Sequence, residues 1–208
     1  MLVDDDPFVR QSLRYQVEFA DLESVEEIGP QLGTLPDFLK LPRHADAAIS
    51  DYKLSPGGYA AFNGAELVSA WHRDNFPALL CTRYDRAEIA RIRPHLRWIP
   101  VLMAPDDLNP DSLMEGLEAC LFELEGNFRP VRRPWRAQVH FVEEDPEYAG
   151  SFFVELPAWQ RDEVFAVKIK DLPAALGRSV KPGFRCYAQA NLGSEDIDEI
   201  YLCEWEVR

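Results

Sequence analysis

Carboxylates close two short apolar runs in this chain. Met1-Leu2-Val3 leads into Asp4-Asp5-Asp6. Ala47-Ala48-Ile49-Ser50 leads into Asp51, followed by Tyr52-Lys53-Leu54 and the turn formers Ser55-Pro56-Gly57-Gly58. A third run, Pro77-Ala78-Leu79-Leu80-Cys81, ends in Thr82. Short apolar runs bounded by turn formers predict buried strands. In an open α/β sheet the chemistry sits at the carboxyl ends of the strands, where all three polar sets fall. Carboxylates meeting at one such edge repel one another unless a divalent cation lies among them. A hard Mg2+, with oxygen ligands and retained waters, suits that setting.

The set of acidic pair, lone aspartate and threonine, in chain order, resembles the receiver domain of two-component response regulators. The matching pieces are Leu2-Val3-Asp4-Asp5-Asp6-Pro7 with Arg10, then Asp51, Gly64 and Thr82. The resemblance spans roughly residues 1–125. It implies a flavodoxin-like, doubly wound, five-stranded parallel sheet and a phosphoryl acceptor at Asp51. A carboxylate nucleophile of this kind needs a metal and donors for the charge on the transferring group. The resemblance assigns the metal to Asp4, Asp5 and Asp51 with the backbone carbonyl of Lys53. Thr82 would donate its hydroxyl to a phosphoryl oxygen. The implied phosphodonor is a histidine kinase, so the protein would be a regulator and not an enzyme.

Three positions depart from the pattern. Receivers carry a lysine just before a proline after the fifth strand, and here Ala104-Pro105 stands there. The aromatic switch position is Val101, and the small residue expected after Thr82 is Arg83. Losing the lysine removes a charge-assisted contact of the stronger kind. Either Lys53 or Arg83 reaches in instead, or both are ordinary solvated side chains. The stretch between Asp51 and Gly64 is also long, with Tyr59 and Phe62 adding bulk. The alternatives are therefore a pseudo-receiver that never takes phosphate, or a phosphate sink that drains a kinase without output.

The elements that must position these residues follow from periodicity. Phe8, Val9, Leu13 and Val17 form a helical stripe from Pro7 to about Phe19. Residues 24–28 predict a weakly patterned second strand, and 32–41 a helix with Pro36 near a break. Helices are expected over 62–76, 84–95 and 110–125, and a fifth strand over 97–103. Five βα units in sequence predict a parallel sheet with helices on both faces.

The character changes at Gly126-Asn127-Phe128-Arg129-Pro130-Val131-Arg132-Arg133-Pro134, whose prolines and arginines read as a linker, 126–135. Its basic cluster suits an anionic partner or packing on acidic neighbours. Beyond it the period becomes two. Segments 138–142, 151–154, 164–169, 185–190 and 200–207 are strand candidates rich in aromatic and β-branched residues. Residues 172–176 suit one helical turn. This predicts a small all-β domain over 136–208, a barrel or a curled antiparallel sheet. The expected division is thus a receiver over 1–125, the linker, and a β-rich output or interaction domain.

Composition narrows the function. The net charge of −14, from 36 acidic and 22 basic residues among 208, opposes binding to a phosphate backbone. No helix-turn-helix pattern or basic recognition helix is visible. Asp4 to Asp6 stand where a signal peptide would be apolar, and no apolar run approaches a membrane span. A cytoplasmic protein that contacts other proteins, through the β domain or the receiver surface, with a homodimer as a further option, is the remaining expectation.

Other residues carry weaker signals. His44, His72, His95 and His140 lack metal-ligand spacing, and Gly57-Gly58 lacks the following lysine of a phosphate loop. The four cysteines show no CxxC pair and read as buried thiols. Trp135, Trp159 and Trp205 suit a core better than a stacking platform. Glu195 to Glu199 is a solvated loop or a docking surface for a basic partner.

Overall fold

Leu2–Val3 (β1), Ala48–Ser50 (β2), Ala78–Cys81 (β3) and Leu102–Met103 (β4) pair in parallel, in that spatial order. The computed structural model describes all residues except 30, 56, 57, 84, 85, 207 and 208, and only the backbone at 86 and 87. The turn expected at 55–58, the start of the helix expected at 84 and the last residue of the strand expected to 207 touch positions outside the described residues.

Contacts divide the chain into two compact units. One joins Met1–Tyr84 with Trp98–Asn127, and the other joins Asp85–Arg97 with Phe128–Arg208. The segment 85–97, placed by the sequence reading in the receiver, therefore groups with the second unit.

In the first unit every residue of β1, β2 and β3 is buried, as in a parallel sheet covered on both faces. Helix α1, Pro7–Phe19, starts at Asp6, whose carboxylate accepts from the Phe8 amide at 2.8 Å. From α1, Leu13 and Val17 join Leu113 and Cys120 of Pro110–Leu124 in a core with Leu2, Ile49 and Leu79. The helix predicted over 32–41 shrinks to one turn, Leu35–Phe38 (α2). Gly33, at φ 71, stops it from starting earlier. Helix α3, Gly64–Arg73, buries Leu67, Val68 and Trp71. Phe38 and Phe76 pack on the Trp71 ring, with centroids 6.1 and 5.4 Å away.

The parallel sheet has four strands where the sequence predicts five. Residues 24–28 make a single bridge, Glu26 opposite Leu2. The Leu2 amide donates to the Val25 carbonyl (2.7 Å), and the Glu27 amide to the Leu2 carbonyl (2.9 Å). The Met1 and Val3 carbonyls accept from Ile49 and Asp51 instead, so the bridge lies on the side of β1 away from β2. This order is compatible with a flavodoxin-like α/β fold. With β1 two residues long, only one bridge forms. The fifth predicted strand, 97–103, narrows to Leu102–Met103: residues 97 and 98 belong to the 3-10 helix Arg93–Trp98, and 99–101 form no regular element.

The second unit is a five-stranded antiparallel sheet, β7-β6-β5-β8-β9. Its strands are Trp135–Glu144 (β5), Ser151–Glu155 (β6), Val164–Lys168 (β7), Arg185–Ala190 (β8) and Leu202–Cys203 (β9). A register shift between Phe141 and Glu143 bends β5 and helps curl the sheet. Edge strands β7 and β9 do not pair with each other, so the curl is a half-barrel and not a closed barrel. Predicted strand 200–207 is cut short because Glu204 takes a left-handed φ of 48.

Val139, Phe141, Val154, Leu156 and Ile200 fill the concave core, with Leu172 and with Leu176 of α6 (Ala174–Gly177). Helix α4, Arg86–Ile92, belongs to this unit. The segment read as a linker is packed here too. Arg132 is buried, donates from Nη2 to the Leu96 and Arg97 carbonyls (3.1 and 3.2 Å), and its own carbonyl accepts from the Tyr201 hydroxyl (2.6 Å). No helix among the described residues is long and apolar enough to cross a membrane.

Candidate functional site: an acidic strand edge

The parallel register sets the site. Val3 pairs with Ser50 and Ser50 with Leu80, so Asp4, Asp51 and Cys81 stand level where β1, β2 and β3 end. Thr82 follows one residue on, its amide donating to the Met103 carbonyl at 2.9 Å. The acidic set and the threonine thus share one sheet edge.

Within the triplet at β1 the roles separate. Asp6 caps α1 and gives its amide to Asp4 Oδ1 at 2.8 Å. Asp4 is only 3% exposed. Burial pushes its carboxyl up from 3.8 to about 7, and the negative charges of Asp51, Asp5 and Asp6 push the same way. Burial likewise raises Asp5, reinforced by Asp51 and Asp6 and opposed by Arg10. Burial also pushes the Cys81 thiol up to about 12, with Asp51, Asp4 and Asp107 adding to it. Burial, with neighbouring carboxylates adding to it, thus raises both Asp4 and Asp5 at this edge.

Asp51 holds one oxygen and leaves the other open. Its Oδ2 accepts from the Lys53 amide at 2.6 Å, while Oδ1 accepts no hydrogen bond among the described residues. The Thr82 side chain is buried, and its hydroxyl has only a long 3.4 Å contact to the Arg83 carbonyl. Ala104 precedes the 3-10 turn Pro105–Asp107 and brings no charge.

Arg83 points elsewhere: its Nη2 pairs with Asp106 Oδ1 at 2.7 Å, both side chains well exposed. Solvent screens an exposed pair of this kind, so it holds Arg83 only weakly. Arg83 is therefore not committed to the acidic edge. Val101 packs against the core shared by α1 and the helix Pro110–Leu124.

Arg10 is the cation that does reach the edge from inside. It is 6% exposed, donates through Nη1 to the Asp4 carbonyl, and faces Glu26 at 3.7 Å. The Tyr59 ring lies 6.0 Å from its guanidinium, and the Tyr59 hydroxyl donates to the Glu27 carbonyl at 2.5 Å. The Arg10 spacing after the acidic pair is visible in the sequence. The contribution of Tyr59, on an irregular loop, is not.

Gly64 has a steric reason to be glycine. A Cβ there would lie 1.8 Å from the Asp51 carbonyl oxygen and 2.8 Å from Ser50 Oγ. The start of α3, fixed by the Asn63–Glu66 capping box, is thereby pressed against the Asp51 backbone. Gly64→Ala is expected to cost about 2–3 kcal/mol. Urea denaturation should read this loss, and the Asp51 and Tyr52 amide resonances should move. Unchanged stability would mean that the Asp51 turn yields freely.

The donor chemistry suits Mg2+: oxygen ligands only, at a coupled acidic edge. Among the described residues, however, no three His, Cys, Asp or Glu side chains are gathered closely enough to hold a metal ion as they stand. Asp4, Asp5 and Asp51 share the edge without the spacing of a closed ligand set. The chain matches no protein-family model, no curated protein and no solved structure.

Proposed function

We propose that the first unit is a receiver-type module that accepts a phosphoryl group on Asp51, as an atypical response regulator. One observation carries this reading: the β1-β2-β3 register brings Asp4, Asp5, Asp51 and Thr82 to one sheet edge, with Asp51 Oδ1 accepting no hydrogen bond among the described residues. In the transfer, Oδ1 forms a bond to phosphorus as the bond from phosphorus to a kinase histidine nitrogen breaks. The electron pair stays on that nitrogen. Asp4, Asp5 and Asp51, with the Lys53 carbonyl, are the groups that would hold Mg2+. When bound, the ion supplies charge neutralisation at the phosphoryl oxygens. The Lys53 amide orients Asp51, and the Thr82 hydroxyl would donate to the phosphoryl group.

Output runs through protein contact, by the half-barrel unit or the surface of the first. The acidic balance supports neither nucleic-acid binding nor attachment to an anionic membrane surface.

A second reading, a pseudo-receiver that never takes phosphate, is favoured by one specific feature. Ala104 offers no lysine, and Arg83, the nearby substitute, is engaged with Asp106. A phosphate sink lies between the two readings. The deciding experiment incubates wild type and Asp51→Ala with Mg2+ and acetyl phosphate, then reads intact mass and trypsin-cleaved peptides. An added phosphoryl mass on the Asp51 peptide of wild type alone is expected. No label on Asp51 from acetyl phosphate or from a histidine kinase would establish the pseudo-receiver.

A further inference from the structure

The second unit contains a cavity of about 330 Å³, lined by residues of β5, β8, α6 and the C-terminal segment. That volume falls within the range of small-molecule sites. It lies beside the part of β8 that β9 does not reach. Strand β9 pairs only with Gln189 and Ala190, and the next link is the Glu206 amide to the Tyr187 carbonyl at 2.9 Å. The first half of β8 is thus left without a strand on that side among the described residues. An open sheet edge is ordinarily covered or paired; here it borders an open volume, with Leu176 of α6 and Phe184 as apolar walls.

The polar groups of the lining differ in how far they are already satisfied. Both Glu206 oxygens accept from Arg136, at 2.5 and 2.8 Å, and Arg136 stacks 3.6 Å over the Tyr187 ring. The Glu206 charge is therefore already neutralised. Cys186 is buried, and burial, with Glu206 adding to it, pushes its thiol up to about 11, so it stays protonated at neutral pH and is no nucleophile. Arg185 is the remaining charged group. It is exposed at the cavity and makes no ion pair or side-chain hydrogen bond among the described residues. A guanidinium with five donors and no partner, beside an apolar wall, matches a carboxylate.

We infer that this cavity binds a small organic acid, its apolar body on Leu176 and Phe184 and its carboxylate on Arg185. Gln138, the cross-strand partner of Tyr187, supplies a neutral amide for a further polar group of the ligand.

The test uses the full chain and three probes of one shape: phenylacetate, phenylacetamide and phenethylamine. Each is titrated against amide resonances. Phenylacetate should shift Gln138, Arg185 and Tyr187, and bind about tenfold more tightly than the amide, with the amine weakest. Arg185→Gln should reduce the acid to the level of the amide, and Arg185→Lys should restore part of the difference. Arg185 is exposed, so both variants should keep the wild-type melting temperature, which is measured alongside. Equal affinity for acid and amide, shifts confined to other residues, or no binding by any probe would each overturn the inference.

Discussion

Replacing Asp4 by asparagine is expected to raise the stability of the metal-free protein at pH 8, and to change it little below pH 4. Asp4 is buried beside Asp5 and Asp51, and its folded pKa of about 7 lies above the value of 3.8 of an unperturbed carboxyl. The native state therefore holds a proton that the unfolded chain has released between those two values. Stability falls as pH rises through that window, and the cost is complete above about pH 7. A rise from 3.8 to about 7 corresponds to about 4 kcal/mol at most. Asparagine carries no charge and keeps the oxygen that accepts from the Asp6 amide. Urea denaturation of both proteins in EDTA at pH 3.5, 6 and 8 should show a gap that opens with pH. A variant less stable than wild type at pH 8 would show that the Asp4 charge is compensated and not a cost.

The second large effect belongs to Arg93. It is 7% exposed, and its Nη1 donates to the Ile197 and Ile200 carbonyls at 2.8 and 2.5 Å. Its guanidinium lies 4.4 Å from the Phe165 ring centroid, and Asp198 stands 3.8 Å away. Burial lowers its pKa to about 10, which leaves it charged at neutral pH. Arg93→Ala would strand the buried Ile200 acceptor and the part-buried Ile197 acceptor and open a cavity, so a loss of about 3–5 kcal/mol is expected. Amide exchange should accelerate in β5 to β9 more than in β1 to β4. Arg93→Lys should recover little, because an ammonium cannot hold both carbonyls and stack on Phe165 together. Arg136→Ala, at a half-exposed and solvent-screened pair with Glu206, should cost far less by comparison. Equal losses for Arg93→Ala and Arg136→Ala would remove segment 85–97 from the core of the second unit.

Legibility in the sequence followed how local the cause was. The α1 boundaries were readable because Asp6, Pro7 and the stripe of Leu13 and Val17 act within a few residues. The half-barrel strands 151–155, 164–168 and 185–190 were readable for the same reason, since alternation is a local signature of one wet face. The segment 24–28 was overread: a β-branched cluster says nothing about the length of the strand it must join, and β1 offers one bridge. The strand expected over 97–103 loses residues 97 and 98 to a 3-10 turn, and 99–101 form no regular element. The Leu96 and Arg97 carbonyls in that turn accept from Arg132, roughly thirty-five residues away.

The sequence by itself determined the site's composition. The acidic pair, Asp51, Gly64 and Thr82 are one-dimensional facts, and so is the absence of a lysine at 104. Only the tertiary structure decided how those residues are used. Parallel register, fixed by backbone hydrogen bonds among three distant strands, set Asp4 level with Asp51. Burial, which no single residue carries, raised the Asp4 pKa and made Arg10 the internal cation. Long-range pairing turned Arg83 toward Asp106, and the buried Arg93 tied residues 85–97 to the half-barrel. Charge and donor chemistry are written residue by residue. Distance and desolvation are properties of the folded whole, and they gave each charge its partner.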